Sequence, residues 1–212
     1  MGVAGDMAAI AARVPVIPVL TIEKHETAVP LARALVKGGL PVLEITLRTE
    51  VALEALRTII AEVPDAIVGA GTVLNAGQLD RVQSMGARFA VSPGCTEALA
   101  RAARASGMPF LPGVQTVSEA MALAELGFEV LKFFPADSAG GLTWIKAAGA
   151  PLPGLRFCPT GGITAETAPA YLALANVVCV GGSWVAPRVA VATGDWQSVE
   201  RLAATASTLK RR

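Results

Sequence analysis

Short apolar segments alternate with amphipathic segments along nearly the whole chain, and this alternation restricts its fold more than any other feature. The apolar segments predict eight strands, at residues 16–20, 42–47, 67–72, 88–92, 109–113, 130–134, 156–160 and 177–181. The intervening segments carry apolar residues at helical spacing, most clearly at residues 26–37, 51–63, 78–85, 97–105 and 117–126. Strands that alternate with helices predict a parallel sheet with the helices packed on its outside.

Glycine and hydroxyl residues mark the expected ends of these helices. Four of the helical segments are followed by glycines that can adopt a left-handed backbone: Gly38-Gly39, Gly86, Gly107 and Gly127. Thr116 or Ser118, and Thr164, are the predicted N-terminal caps, because a side-chain oxygen there can accept a hydrogen bond from an unpaired amide of the first turn.

Eight strands that alternate with helices predict an α/β fold, a single-domain (β/α)8 TIM barrel over residues 1–212. An extra N-terminal helix is expected within residues 3–13, and a last helix over residues 196–210. An open doubly wound sheet is the competing architecture, and a glycine-rich fingerprint after the first strand would favour it. The residues there are Thr21-Ile22-Glu23-Lys24, which carry no such fingerprint. In a barrel of this kind, catalytic residues lie at the C-terminal ends of the strands.

Composition and charge argue against several functional classes. The formal net charge is +1 and no basic, aromatic-rich face is present, so nucleic-acid binding is not expected. No apolar stretch reaches membrane-spanning length and the first residues do not resemble a signal peptide, so we expect a cytoplasmic protein without membrane contact. Because 53% of the residues are hydrophobic and only 17% are charged, we expect some apolar surface to be buried between subunits.

The cysteines and the histidine predict neither a disulfide framework nor a metal site. Cys95, Cys158 and Cys179 have no metal-binding spacing, and their odd number favours reduced thiols in a cytosolic protein. A single histidine, His25, cannot supply a multi-histidine site and is most simply surface structure.

Lys132 is the leading candidate for a catalytic residue. It lies in Val130-Leu131-Lys132-Phe133-Phe134-Pro135, an apolar segment that otherwise predicts a buried strand. Lysine is rarely buried unless it is paired or has a chemical role. Removal from water disfavours the ammonium, and the neutral amine is a nucleophile that forms Schiff bases with carbonyl compounds. The alternative is a lysine whose side chain extends from the strand end into solvent.

The second strand, with its alternating side chains, supplies two charged candidates. Glu44, Thr46 and Arg48 share one face and are expected to point into a closed barrel, which has no exposed edge. A carboxylate there can shuttle protons, and a guanidinium can hold a substrate carboxylate through paired hydrogen bonds. The alternative is an internal ion pair without a catalytic role, which would carry a large desolvation cost.

Paired glycines follow the last two strands, where barrels of this type commonly bind phosphate. Gly161-Gly162 follows Thr160, and Gly181-Gly182 precedes Ser183. Glycines allow backbone N–H groups to approach phosphate oxygens, and the Ser183 hydroxyl can donate a further hydrogen bond. The alternative is that these glycines only form tight turns.

Other strand ends add weaker candidates. Thr72 can hydrogen-bond a carboxylate or carbonyl oxygen at the end of the third strand. Pro93 and Phe134 can form apolar walls, although a purely structural role is an equal alternative.

Six segments of the chain form a specific pattern when they are taken in order. They are Pro15-Val16-Ile17-Pro18-Val19-Leu20, Glu44-Ile45-Thr46-Leu47-Arg48-Thr49, Gly69-Ala70-Gly71-Thr72-Val73, Ser92-Pro93-Gly94, Leu131-Lys132-Phe133-Phe134-Pro135-Ala136 and Pro159-Thr160-Gly161-Gly162-Ile163. From about Val14 onward the chain closely resembles the family of 2-keto-3-deoxy-6-phosphogluconate (KDPG) aldolases. No matched catalytic position departs from the family pattern.

The resemblance implies a class I aldolase that cleaves KDPG, a phosphorylated 2-keto acid, to pyruvate and D-glyceraldehyde 3-phosphate, without a cofactor or metal. It implies that Lys132 is the Schiff-base lysine and that Glu44 is the general acid and base. The implied substrate contacts are Arg48 and Thr72 with the pyruvate carboxylate, Thr160 beside them, Pro93 and Phe134 with the pyruvyl group, and Gly161, Gly162 and Ser183 with the phosphate. Gly182, from the second glycine pair, is a further candidate contact with the phosphate. A homotrimer is also implied.

Three alternative functions remain open at the level of sequence. An aldolase for the C4-epimeric phosphogalactonate or for 4-hydroxy-2-oxoglutarate would use the same site. A phosphosugar isomerase or epimerase would share the phosphate loops but would need no Schiff-base lysine. A barrel that only binds a phosphorylated metabolite would leave the inward Glu44, Arg48 and Lys132 without a reason.

Overall fold

Short parallel strands and amphipathic helices alternate in the structure, a computed structural model that describes residues 7–211. Its strands are β1 (Val16–Leu20), β2 (Val42–Thr46), β3 (Ile67–Gly71), β4 (Phe89–Val91), β5 (Phe110–Leu111), β6 (Gly113–Val114), β7 (Val130–Phe133), β8 (Arg156–Pro159) and β9 (Val180–Gly182). Its helices are α1 (Met7–Ala11), α2 (Ala28–Lys37), α3 (Ala52–Glu62), α4 (Ala76–Ser84), α5 (Glu97–Ser106), α6 (Val117–Glu125), α7 (Gly141–Gly149), α8 (Ala168–Leu172), α9 (Arg188–Thr193) and α10 (Trp196–Ser207).

The strands form two parallel sheets. A six-stranded sheet has the order β5-β4-β3-β2-β1-β9, and a three-stranded sheet has the order β6-β7-β8. Isolated parallel bridges join Phe157 to Val177 and Thr160 to Gly181, so β8 also meets the segment that contains β9. The result is an α/β fold with a curled parallel sheet, as the alternating pattern predicted.

The two sheets separate at Pro112, where the sequence predicted one continuous strand. On one side, Leu111 accepts a hydrogen bond from the Ser92 amide (3.2 Å), and on the other side Pro112 accepts one from the Lys132 amide (2.8 Å). The chain thus passes from pairing with β4 to pairing with β7 at this residue. The single-strand prediction is wrong here because proline has no N–H group to continue a ladder.

Most predicted helix ends are confirmed. Gly39, Gly86, Gly107 and Gly127 all have a left-handed backbone, with φ between 68° and 90°. Thr116 caps α6, and α10 occupies most of the helix predicted over residues 196–210. Thr164 caps the turn that precedes α8 and not α8 itself: its Oγ1 accepts from the Thr167 amide at 3.3 Å, and α8 begins only at Ala168. The early part of the helix predicted over residues 3–13 lies outside the described residues, and α1 occupies the remainder as far as Ala11.

Aromatic side chains in the core hold the strand that carries Lys132. The buried ring of Phe133 stacks on Trp144 of α7 at a centroid distance of 4.2 Å. Trp144 in turn meets Phe157 of β8 edge to face at 5.4 Å. Such pairs stabilise a core beyond the apolar area they bury, so α7, β7 and β8 form one packed unit.

Within residues 7–211, no helix has both the length and the apolar character needed to cross a bilayer.

Candidate active site

Lys132 and Glu44 lie in contact inside the fold. Lys132 is on β7 and Glu44 on β2, and each residue is only 2% exposed. The Lys132 Nζ atom donates to Glu44 Oε1 at 3.0 Å and lies 3.4 Å from Oε2. The pair therefore joins the three-stranded sheet to the six-stranded sheet, and a proton can pass between the two side chains directly.

Neighbouring residues fix the geometry of this pair. The backbone of Lys132 lies between Gly113 of β6 and Cys158 of β8. A Cβ atom at position 71 would come within 2.3 Å of Glu44 Oε1, so the glycine leaves the space that the carboxylate occupies. The Lys132 Nζ atom also lies 5.4 Å from the centre of the Phe134 ring, where an aromatic face attracts a cation.

The burial of this ion pair requires an explanation other than stability. Two charges removed from water lose hydration, and their attraction often does not exceed that loss. Removal of one partner alone would leave an uncompensated buried charge. An amine and a carboxylate held together at the end of parallel strands are therefore candidates for chemistry, because they can exchange a proton and then attack a substrate.

A cavity of about 530 Å³ opens beside Lys132. It is lined by eight of the eleven residues that the sequence predicted as site residues: Arg48, Lys132, Phe134, Thr160, Gly161, Gly162, Gly182 and Ser183. Glu44 and Thr72 do not line the cavity, but each contacts a residue that does. Glu44 Oε1 accepts from Lys132 Nζ and Thr72 Oγ1 accepts from Arg48 Nε, both at 3.0 Å. Pro93 does not line the cavity; it is half-buried, and its carbonyl packs against Gly113.

The glycine pairs adopt conformations and contacts that a larger residue would disturb. Gly161 and Gly162 have left-handed backbones, with φ values of 97° and 78°. A Cβ atom at Gly181 would lie 2.3 Å from Thr160 Oγ1, and one at Gly182 would lie 1.8 Å from the Trp184 ring. The two loops after β8 and β9 therefore form a wall of the cavity from bare backbone and the Ser183 side chain.

The structure also places residues on the cavity wall that the sequence analysis did not single out. Thr21, Glu23 and Lys24 come from the segment after β1, and Arg188 from the start of α9. Glu23 and Arg188 form an ion pair with each other. The strand-end rule could have identified the first three, because they follow the C-terminal end of the parallel strand β1. Arg188 carries no such signal in the sequence.

Two buried cysteines lie beneath the site. The Sγ atoms of Cys158 and Cys179 are 3.5 Å apart and hydrogen-bonded. That hydrogen bond and burial raise the pKa of Cys179 well above its ordinary value, so the group stays a thiol. Cys95, Cys158 and Cys179 form no disulfide bond. Residues 7–211 contain no group of three His, Cys, Asp or Glu side chains that could hold a metal ion.

Known proteins share both the sequence and the fold. The model of the KDPG and KHG aldolase family matches residues 7–202. A 2-dehydro-3-deoxy-phosphogluconate aldolase of Pseudoalteromonas atlantica is 52% identical over 189 residues, which are 89% of this chain and 88% of the relative.

Two crystal structures extend this similarity. The KDPG aldolase of Legionella pneumophila, with pyruvate captured as a covalent carbinolamine intermediate, is 46% identical. It has a TM-score of 0.94 over 96% of this chain and 98% of that one. The aldolase of Zymomonas mobilis with 3-phosphoglycerate is 48% identical, with a TM-score of 0.93 over 97% of both chains.

Taken with these similarities, the buried amine and carboxylate at the strand ends define an α/β lyase. More narrowly, the chain belongs to the KDPG and KHG aldolase family, since that family's model covers residues 7–202.

Proposed function

We propose that the protein is a Schiff-base aldolase that cleaves KDPG to pyruvate and D-glyceraldehyde 3-phosphate. The observation that carries this proposal is the 3.0 Å contact between buried Lys132 Nζ and Glu44 Oε1 at the edge of the cavity. The covalent pyruvate adduct in the Legionella pneumophila relative supports the same chemistry. The 3-phosphoglycerate in the Zymomonas mobilis relative supports a phosphorylated substrate.

The first half of the reaction forms the covalent intermediate. Glu44 accepts a proton from the Lys132 ammonium across their hydrogen bond, which frees the amine lone pair. The amine attacks the C2 ketone of KDPG to give a carbinolamine. Glu44 returns its proton to the carbinolamine hydroxyl, which leaves as water and gives an iminium between Lys132 and C2. The positively charged iminium can accept the electron pair of the C3–C4 bond.

The second half of the reaction breaks the carbon–carbon bond. Glu44, directly or through a water, removes the proton of the C4 hydroxyl, and the C3–C4 bond breaks as the C4 aldehyde forms. Glyceraldehyde 3-phosphate leaves, and the electron pair remains on Lys132-bound pyruvate as an enamine. Glu44, or the water that carries its proton, protonates C3 and restores the iminium, and water then hydrolyses it to pyruvate and free Lys132.

The other cavity residues position the substrate. The Arg48 guanidinium, held by Thr72, binds the keto-acid carboxylate, with Thr160 beside it. Phe134 supplies an apolar face for the pyruvyl carbons. Gly161, Gly162, Gly182 and Ser183 bind the phosphate through backbone N–H groups and a hydroxyl. The contact predicted between Pro93 and the pyruvyl group stays a prediction.

The proposed enzyme is one domain over residues 1–212, in which the two sheets complete a (β/α)8 barrel with an extra N-terminal helix. The bridges from β8 to the β9 segment support this closure. We also propose a cytoplasmic homotrimer. The unpaired cysteines fit a reducing compartment, and the exposed apolar side chains Val117 and Met121 on α6 fit a surface buried between subunits.

Borohydride trapping tests the function. Incubation with pyruvate and borohydride is expected to fix a pyruvate-derived mass on Lys132, located by peptide mass spectrometry. Lys132→Arg should abolish the adduct, whereas Lys146→Arg, at an exposed lysine on α7, should retain it. An adduct elsewhere, or none at all, would contradict the Schiff-base proposal.

The family name includes KHG aldolases, so 4-hydroxy-2-oxoglutarate is the second candidate substrate. Comparison of kcat/KM for KDPG, its C4 epimer and 4-hydroxy-2-oxoglutarate ranks the three substrates. The proposal requires KDPG to rank first.

A further inference from the structure

The charged side chains on the cavity wall fall into two groups. Arg48 and Lys132 are engaged by Thr72 and Glu44, at the end proposed for the keto acid. Glu23, Lys24 and Arg188 line the cavity elsewhere, on the segment after β1 and at the start of α9. A phosphate monoester carries close to two negative charges at neutral pH, and the glycine loops offer it dipoles but no full positive charge.

Arg188 is held close to the loop that carries Ser183. The chain turns between them, where the Ala186 amide donates to the Ser183 carbonyl at 3.1 Å. Val185 within this turn is fully buried, so the turn is anchored in the core. Both Ser183 and Arg188 line the same cavity. The guanidinium therefore projects from a fixed backbone beside the proposed phosphate loops.

The present partner of Arg188 is an anion that is easily replaced. Arg188 donates to the Glu23 carboxylate, and the two side chains are 88% and 59% exposed. Exposed ion pairs contribute little net free energy, because water competes for both charges. A phosphate dianion at the glycine loops would offer the guanidinium more charge and more acceptor oxygens than one carboxylate.

We infer that Arg188 leaves Glu23 and pairs with the substrate phosphate, so that the Glu23–Arg188 pair determines the preference for phosphorylated over unphosphorylated 2-keto acids. This inference rests on the proposed aldolase function. Lys24 lines the same cavity, but the planar guanidinium suits bidentate binding of phosphate better than an ammonium does. Glu23 holds the guanidinium over the cavity before substrate binds and receives it again after the product leaves.

The ratio of two kcat/KM values tests the inference: KDPG over its unphosphorylated counterpart, 2-keto-3-deoxygluconate. Arg188→Ala should lower this ratio by about tenfold, the effect of one charge-assisted hydrogen bond. The loss should lie in KM for KDPG, and inhibition by inorganic phosphate should weaken in parallel. Glu23→Gln should raise the ratio by about two- to threefold, because the competing carboxylate is gone.

A matched control separates this effect from the general loss of a surface charge. Arg101 forms an exposed ion pair with Glu97 on α5, away from the cavity, so Arg101→Ala should leave the ratio unchanged. An unchanged ratio in Arg188→Ala, or a full effect in Lys24→Ala instead, would overturn the inference. A ratio that stays constant or falls in Glu23→Gln would overturn the exchange of partners. Pyruvate trapping at Lys132 is measured separately. Failure of the proposed aldolase function is therefore distinguishable from failure of the role inferred for Arg188.

Discussion

Glu44 and Lys132 meet because residue 71 is a glycine, which leaves room for the carboxylate. The sequence identified both side chains, since a charged residue in an apolar strand needs a reason to be there. That Gly71 makes room for this particular carboxylate could not be predicted, because a glycine in a strand fits several explanations. Arg188 was also missed, since its partner Glu23 is far away in the sequence.

Glu44→Gln is expected to separate Schiff-base formation from proton transfer. The amide keeps the shape of the side chain but cannot accept the proton, so pyruvate should still be trapped on Lys132, though more slowly. Exchange of the pyruvate methyl protons with solvent should slow by about 10²- to 10⁴-fold, the usual contribution of a general acid or base. Nuclear magnetic resonance in heavy water measures this rate. Glu62→Gln, an exposed carboxylate on α3, is the control, and equal exchange rates in both variants would exclude Glu44 from proton transfer.

Cys95 is expected to react slowly with alkylating reagents. Burial raises the pKa of its thiol to about 11, and a hydrogen bond with Ser92 only partly offsets that increase. The reactive thiolate is therefore scarce at pH 8, and the iodoacetamide rate should rise about tenfold per pH unit as the pH approaches 11. Mass spectrometry of the folded and urea-unfolded protein measures the rates. Rapid labelling of folded Cys95 at pH 7 would contradict the expectation.

At the scale of the element, α6 settles the choice between Thr116 and Ser118 as its N-terminal cap in favour of Thr116. Thr116 Oγ1 accepts from the Glu119 amide at 3.2 Å, and Glu119 Oε2 accepts from the Thr116 amide at 2.8 Å. Thr116→Ala should therefore lower the free energy of unfolding by about 1 kcal/mol, as measured by urea denaturation. Ser118→Ala, at the other candidate position, should cost less than half as much. Equal losses would mean that the capping box is not stabilising.

The same cap should make stability depend on pH. Burial raises the pKa of Glu119, but hydrogen bonds from the Gln115 and Thr116 amides and the Thr116 hydroxyl outweigh it, so the pKa lies below 4.5. A carboxyl with a lowered pKa stabilises the fold above its ordinary pKa and loses that contribution as the pH falls through the folded value. The stability difference between the unmodified protein and Glu119→Gln should shrink as the pH falls below 4.5. A constant difference from pH 7 to pH 3 would contradict this.

The elements themselves were largely predictable, and their interruptions were not. Periodicity located α3 and α5 and most strands, because burial on one face leaves a clear pattern. The division at Pro112 was missed because the apolar character of the segment continues across it. Val177 also fitted a strand, yet it makes only an isolated bridge before β9 begins at Val180.

At the scale of the whole molecule, we expect three chains to associate. Sedimentation equilibrium should give three times the chain mass of 21.7 kDa at micromolar concentration. Met121 is 50% exposed on α6, and Met121→Glu should shift the mass towards one chain because a charge would then be buried at the apolar contact. Ala122→Glu adds the same charge at the next exposed position of that helix and should have a smaller effect. A single-chain mass for the unmodified protein would contradict the trimer.

The contact between Lys132 and Glu44 also has a consequence for how the molecule acquires activity. Lys132 belongs to the three-stranded sheet and Glu44 to the six-stranded sheet, so neither sheet alone holds both reacting groups. The rate at which turnover returns after dilution from denaturant therefore reports when the two sheets come together. It does not report when either sheet forms.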